Sequence, residues 1–207
     1  MKYIKTFENK ELEKEIEYYD NGNIKSIEYK LNDKYHRENG PAYQTWYDNG
    51  KKLKEIYYIN GKYHREDGPA SQSWYENRQK CDEIYYYNNK KHREDGPAIQ
   101  EWYKNGQKSK EEYYINEIFH REDGPAYQYW YKNGQKQLEK YYIDGKLYRE
   151  DGPAYLHWKN DGKLNLKIYY LNSIEYKRED WLNKLKKINS PHYKEQQDLY
   201  DIDKYNL

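Results

Sequence analysis

The sequence predicts an all-β fold, an elongated array of 28-residue antiparallel β-hairpin or meander repeats with a short C-terminal helix as cap. Three observations predict it. The heptapeptide His-Arg-Glu-Asp-Gly-Pro-Ala recurs at a fixed step of 28 residues, from His36, His64, His92, His120 and Tyr148, with Asn39 replacing Asp in the first copy. Turn residues interrupt every run before about ten residues accumulate, which leaves no room for helices between them. The runs between turns are rich in Tyr, Trp and Ile, which favour pleated structure.

Residues 1–17 read as an N-terminal cap. A single repeat array follows over 18–180. It opens on a partial unit, 18–35, because Tyr18-Tyr19-Asp20-Asn21-Gly22 stands one period ahead of Trp46-Tyr47-Asp48-Asn49-Gly50. Whole units start at 36, 64, 92, 120 and 148. Within 36–63 three turns are marked by Asn39-Gly40-Pro41, Asp48-Asn49-Gly50 and Asn60-Gly61. Asn-Gly is a strong hairpin signal, since both residues tolerate positive φ. The runs between them predict strands over 42–47 and 53–59, with a shorter one over 62–65. The array decays at 176–180, where Tyr176-Lys177-Arg178-Glu179-Asp180 echoes the motif without Gly-Pro-Ala. Residues 181–207 read as a helical cap and polar tail. Asp180, Trp181, Leu182, Leu185 and Ile188 predict an amphipathic helix, with Lys184, Lys186 and Lys187 at its basic end and Ser190-Pro191 as its stop. The stretch 192–207 is expected to be loosely held.

Alternation along a strand assigns faces. One side barely changes between copies: the alanines at 42, 70, 98, 126 and 154, with Trp46, Trp74, Trp102, Trp130 and Trp158. Tyr57, Tyr85, Tyr113, Tyr141 and Tyr169 repeat in the next strand, and these ladders are the expected core. The opposite side varies: Tyr43, Ser71, Ile99, Tyr127 and Tyr155 at one position, Thr45, Ser73, Glu101, Tyr129 and His157 at the next. Tyr43, Thr45, Ile99, Glu101, Tyr127, Tyr129, Tyr155 and His157 are therefore the candidate partner-binding face. A charge at Glu112 or Lys140 would be costly to bury unpaired.

Composition narrows the function classes. The 207 residues include 30 Tyr but two Phe and one Met, and mean hydropathy is −1.57. Apolar burial must come largely from Tyr and Trp rings. The 37 basic and 36 acidic residues balance to +1 without a clustered basic face, which argues against nucleic acid as partner. Cys81 is the one cysteine, which suits a reducing compartment and excludes an intrachain disulfide. The start lacks a signal-peptide core and no run reaches the ~18 apolar residues of a membrane span. The expected location is therefore cytoplasmic, neither secreted nor transmembrane.

The repeated motif could be read as chemistry, with His as base or metal ligand and the acids beside it. Geometry argues otherwise. Successive histidines would stand ~10 Å or more apart, and zinc holds His nitrogens at about 2.0–2.1 Å, so two units cannot share an ion. Tyr148 replaces His without disturbing the motif. The structural reading assigns Asp67-Gly68-Pro69, Asp95-Gly96-Pro97 and Asp123-Gly124-Pro125 to turns, with Gly in an unusual φ. Arg65, like Arg93, Arg121 and Arg149, then bonds in a fork to an acid such as Glu66 or Asp67, in its own or an adjoining unit, and stacked copies form an ion-pair ladder along one edge. No cofactor, metal or catalytic residue is expected.

Units such as Trp102-Tyr103-Lys104-Asn105-Gly106 and Tyr57-Tyr58-Ile59-Asn60-Gly61 resemble MORN-type repeats, in the Tyr-x-x-Asn-Gly variant of antitoxin-type bacterial proteins. The His-Arg-Glu-Asp-Gly-Pro-Ala extension resembles repeat proteins of large DNA viruses and phages. The resemblance covers roughly residues 16 to 180 and implies an all-β binding or scaffolding module. The Gly-x-Gly spacing of better-known MORN repeats is missing, so no lipid-binding role is carried over. The expected function is a non-enzymatic scaffold for protein–protein interaction. The alternatives are a self-assembling or virion-associated structural protein, or an inhibitor of a single partner enzyme.

Overall fold

The computed structural model describes residues 12–205. Most of the expected N-terminal cap, residues 1–11, lies outside them. The fold is the expected antiparallel succession of hairpins. Contacts divide the chain into two compact units, one ending at Lys90 and one beginning at Lys91, where the sequence alone reads as one array.

In the first unit the long strands Glu13–Tyr18, Ile24–Leu31, Tyr43–Trp46, Lys52–Ile56, Ser71–Trp74 and Lys80–Ile84 pair in chain order, all antiparallel. In the second unit the same succession runs through Ile99–Trp102, Lys108–Glu112, Tyr127–Trp130, Lys136–Lys140, Tyr155–Trp158 and Leu164–Leu171. Each repeat thus gives two long strands. The register shifts between Thr45 and Trp46 and at the matching point of later copies, so each Trp sits at a bulge.

The expected strand over 53–59 is two strands, Lys52–Ile56 and Tyr58–Ile59. The break falls at Tyr57. Its N–H donates to the Ala70 carbonyl at 2.7 Å, whereas the Tyr58 carbonyl accepts from the Arg37 N–H at 3.0 Å. The chain changes partner between consecutive residues, and side-chain alternation does not register such a switch. Tyr58–Ile59 then pairs with Lys62–Tyr63 in a separate two-residue hairpin, shorter than the strand expected over 62–65. The second unit repeats this hairpin with Tyr114–Ile115 and Ile118–Phe119, and with Tyr142–Ile143 and Lys146–Leu147. Asn60 and Gly61 make the turn at φ of 51° and 76°, as their sequence predicts. Neighbouring short hairpins are joined by backbone bonds (Gly61 N–H to the Tyr35 carbonyl, 2.8 Å; Gly145 N–H to that of Phe119, 2.9 Å) and by rings. Tyr35, Tyr58, Tyr63 and Tyr86 follow one another at 5.2, 4.5 and 4.7 Å, and Tyr114, Phe119 and Tyr142 at 4.2 and 5.0 Å.

Burial corrects the expected core. The five repeat alanines are fully buried. The five indoles are only half-buried, and Trp74, Trp130 and Trp158 carry Lys52, Lys108 and Lys136 at 5.5–5.8 Å. Lysine stems cover what a second apolar layer would cover elsewhere. Of the second-strand tyrosines, Tyr57, Tyr85, Tyr113 and Tyr141 are half-buried and Tyr169 is buried.

The C-terminus holds two helices rather than one, α1 (Arg178–Lys187) and α2 (Tyr193–Tyr205). Trp181, Leu182 and Leu185 of α1 are buried against Tyr169 and Leu171, as the apolar stripe requires. The stretch expected to be a loose polar tail is mostly α2. Its Tyr193 and Tyr200 pack on the same cluster and Gln196 is buried between them in sequence, a helical spacing that low hydropathy hides.

Candidate functional site

Two surfaces carry the sequence-expected residues. The first is the motif loop. Arg65 Nε donates to Asp67 Oδ1 at 2.8 Å and its Nη1 to the Pro69 carbonyl at 3.4 Å, while its guanidinium lies 4.0 Å from the Tyr57 ring centre. Arg121 does the same with Asp123 at 2.7 Å, Pro125 at 3.3 Å and Tyr113 at 4.1 Å. Arg149 repeats it on Asp151, Pro153 and Tyr141, and Arg93 holds Asp95 and Pro97 at 2.8 and 3.4 Å. Each Arg–Asp pair closes within its own loop, the nearer of the two expected partners, and what reaches across copies is the Arg on the Tyr of the preceding repeat. The hydrogen bond from Arg65 holds the Asp67 carboxyl below its ordinary value, and Arg93 and Arg121 do the same to Asp95 and Asp123. Burial pushes the Tyr57, Tyr113 and Tyr141 phenols up.

The motif glycines do not take the expected unusual φ: Gly68, Gly96, Gly124 and Gly152 lie outside the left-handed region. A Cβ there would meet the Cζ of the loop's own arginine at 3.0–3.3 Å. Glycine is needed for room, not for backbone freedom.

The histidines have a structural partner the sequence did not suggest. Nδ1 of His36, His64 and His92 accepts the backbone N–H of Asn60, Asn88 and Asn116 at 3.1–3.3 Å, which ties each motif to the turn of its own short hairpin. Among the described residues, no group of three His, Cys, Asp or Glu could hold a metal ion.

The second surface is the varied face. In the second unit cross-strand pairing lines up two rows there. One runs Glu101, Lys110, Tyr129, Leu138, His157, Leu166; the other Ile99, Glu112, Tyr127, Lys140, Tyr155, Ile168. Tyr127 and Tyr129 stack at 4.9 Å, Lys140 lies 5.0 and 5.5 Å from the Tyr127 and Tyr155 ring centres, and Lys110 pairs with Glu101 at 2.7 Å. Lys110 also reaches Glu112 at 3.4 Å, and the Tyr114 hydroxyl donates to Glu112 at 3.2 Å, so that buried carboxylate is paired. Ile99 is buried, and so is removed from the candidate surface. Its position is the one on which hairpin rings press elsewhere, Tyr35 on Tyr43 and Phe119 on Tyr127. In the first unit the same rows hold mostly small and polar residues, one running Thr45, Lys54, Ser73 and the other Tyr43, Ile56, Ser71.

Sequence reasoning missed the polar row on the other face. Gln44, Glu55, Gln72 and Glu83 alternate across the first unit, and Gln100, Glu111, Gln128 and Glu139 across the second. The glutamates are buried, each paired with the Lys three residues earlier, and Gln72, Gln100 and Gln128 donate to Glu55, Glu111 and Glu139 at 3.0–3.1 Å. The signal was present as Gln and Glu at fixed steps of the period in four copies, changing to Leu156 and Lys167 in the last.

No protein-family model, no curated protein and no solved structure matches this chain. Among the described residues no helix is long and apolar enough to cross a membrane.

Proposed function

We propose that the chain is a non-enzymatic repeat scaffold that binds another protein through the varied face of its second unit. The observation that carries this reading is the pair of rows around Tyr127, Tyr129 and Tyr155. Stacked, half-exposed tyrosines with lysines beside them combine apolar area with polar tips, the make-up of binding hot spots. The face continues onto Leu166, nearly half exposed. The resemblance of the Tyr-x-x-Asn-Gly units to MORN-type repeats supports the same class of role, and the lone Cys81 supports a reducing, cytoplasmic setting.

A photo-crosslinking side chain at position 129 or 155 should capture one discrete partner in the native host that the same group at position 100, on the opposite face, does not. Tyr129→Ser should weaken that complex about tenfold, ~1.4 kcal/mol, with the melting temperature nearly unchanged. Equal capture from both faces would sink the assignment.

Self-assembly is the second reading. The strand residues 164–167 are all exposed, as are Glu13–Tyr18 in the first unit, and exposed edge strands invite pairing between chains. Light scattering on the purified chain separates the readings, since self-assembly requires species larger than the monomer at micromolar concentration.

A further inference from the structure

Grooves lie between consecutive motif loops. In the second unit one lies between the Arg93 and Arg121 loops, with a cavity of about 570 Å³, and the next between the Arg121 and Arg149 loops, about 510 Å³. The first unit has one of about 600 Å³ between the Arg37 and Arg65 loops. Each is lined by a Tyr and an Ile, Tyr113 with Ile115 in the first of these, and the groove of about 510 Å³ also takes in Tyr148 and His192.

The rims carry unbalanced charge. Around the Tyr113 groove stand Arg93 and Arg121 against Glu94, Asp95, Glu122 and Asp123. Both arginines are engaged by the aspartates of their own loops, which leaves Glu94 and Glu122 as the surplus. These glutamates do little for the fold. The side chains of Glu38, Glu66, Glu94 and Glu122 are 77–86% exposed, and each lies 3.7–4.0 Å from the motif His, beyond hydrogen-bond length. Yet the position is Glu in every copy. At the equally exposed hairpin turn the chain has drifted freely, through Asp20, Asp48, Glu76, Lys104, Lys132 and Asn160. A solvated residue that holds its charge while another solvated position changes sign is kept for something other than folding.

We propose that these grooves are subsites for the basic side chains of an extended polypeptide. An ammonium or guanidinium head would sit between the two rim glutamates, and its alkyl stem would lie on the Tyr and Ile that line the groove. Two long strands per repeat at ~4.8 Å give a step of about 10 Å, and a chain in the extended polyproline II form rises ~3.1 Å per residue with three residues per turn, so one residue in three would be basic and all would face the grooves. The inference rests on the reading that this chain binds polypeptide but uses a surface separate from the tyrosine rows.

The test uses the full chain and a fluorescent twelve-residue peptide with Lys at every third position and Gly and Ser between, at low salt. Wild type should bind it, and the triple variant E66Q/E94Q/E122Q should bind at least tenfold more weakly with an unchanged melting temperature. The control D20N/D48N/E76Q removes the same charge from the turns and should bind like wild type. No binding by wild type, or equal loss in both variants, overturns the proposal. Tyr129→Ser should leave peptide binding intact, so failure here and failure of the tyrosine-row interface are told apart.

Discussion

At Gly124 an added Cβ would stand 3.0 Å from Arg121 Cζ, against a guanidinium already held by Asp123, the Pro125 carbonyl and the Tyr113 ring. Gly124→Ala should therefore cost ~1–3 kcal/mol by displacing it, and Arg121→Ala a similar amount by losing those contacts. In the double variant the glycine substitution should cost almost nothing further, and thermal melts of the four proteins read the coupling. Strictly additive losses would refute the steric account. The same loops predict an acid response. Asp67, Asp95 and Asp123 bind protons less readily folded than at their ordinary value of 3.8. Their contribution is complete above that value and disappears as pH falls through the lower folded one. Melting temperature should thus fall below about pH 4, and less steeply when all three are changed to Asn. The motif residues were legible because identical spacing exposes them. Which force each one answers to was not, since a glycine kept for room and a glycine kept for positive φ look alike in a sequence.

Among the elements, α1 offers the sharpest test of packing. Trp181 is fully buried, and its indole N–H has no hydrogen-bond partner. Trp181→Ala should cost ~3–5 kcal/mol by opening a cavity beside Tyr169 and Leu171. Trp181→Phe should cost clearly less, because it keeps most of the ring and removes an unsatisfied donor. Denaturant melts decide, and equal losses would show that the N–H is satisfied. The long strands and their turns were legible because Trp, Ala and Asn-Gly repeat in step. The short hairpin was hidden inside a run that reads as one strand, since Ile56, Tyr57 and Tyr58 alternate without a break while their backbone partners change. The tail helix was hidden for a different reason. Its buried side is built from Tyr193, Gln196 and Tyr200, which hydropathy does not count as apolar.

For the whole molecule the period gave the fold class, but nothing in it marks the division after Lys90. The varied face could be drawn from the sequence, yet not its concentration of rings in the second unit, which depends on which residues pairing brings abreast. Junctions between repeats keep one register: Lys54 meets Ser73, Lys110 meets Tyr129 and Leu138 meets His157. Removing residues 120–147 would therefore join a second long strand to a first long strand of the kind it already meets. That variant should fold, with a melting temperature several degrees lower and an unchanged circular-dichroism shape, while removing 120–133 should abolish cooperative melting. If both deletions behave alike, the junctions are not equivalent. If the deletion of a full period folds as expected, the gene can gain or shed one by unequal exchange between near-identical segments. The number of repeats is then a quantity that heredity can adjust in fixed steps, without inventing a new contact.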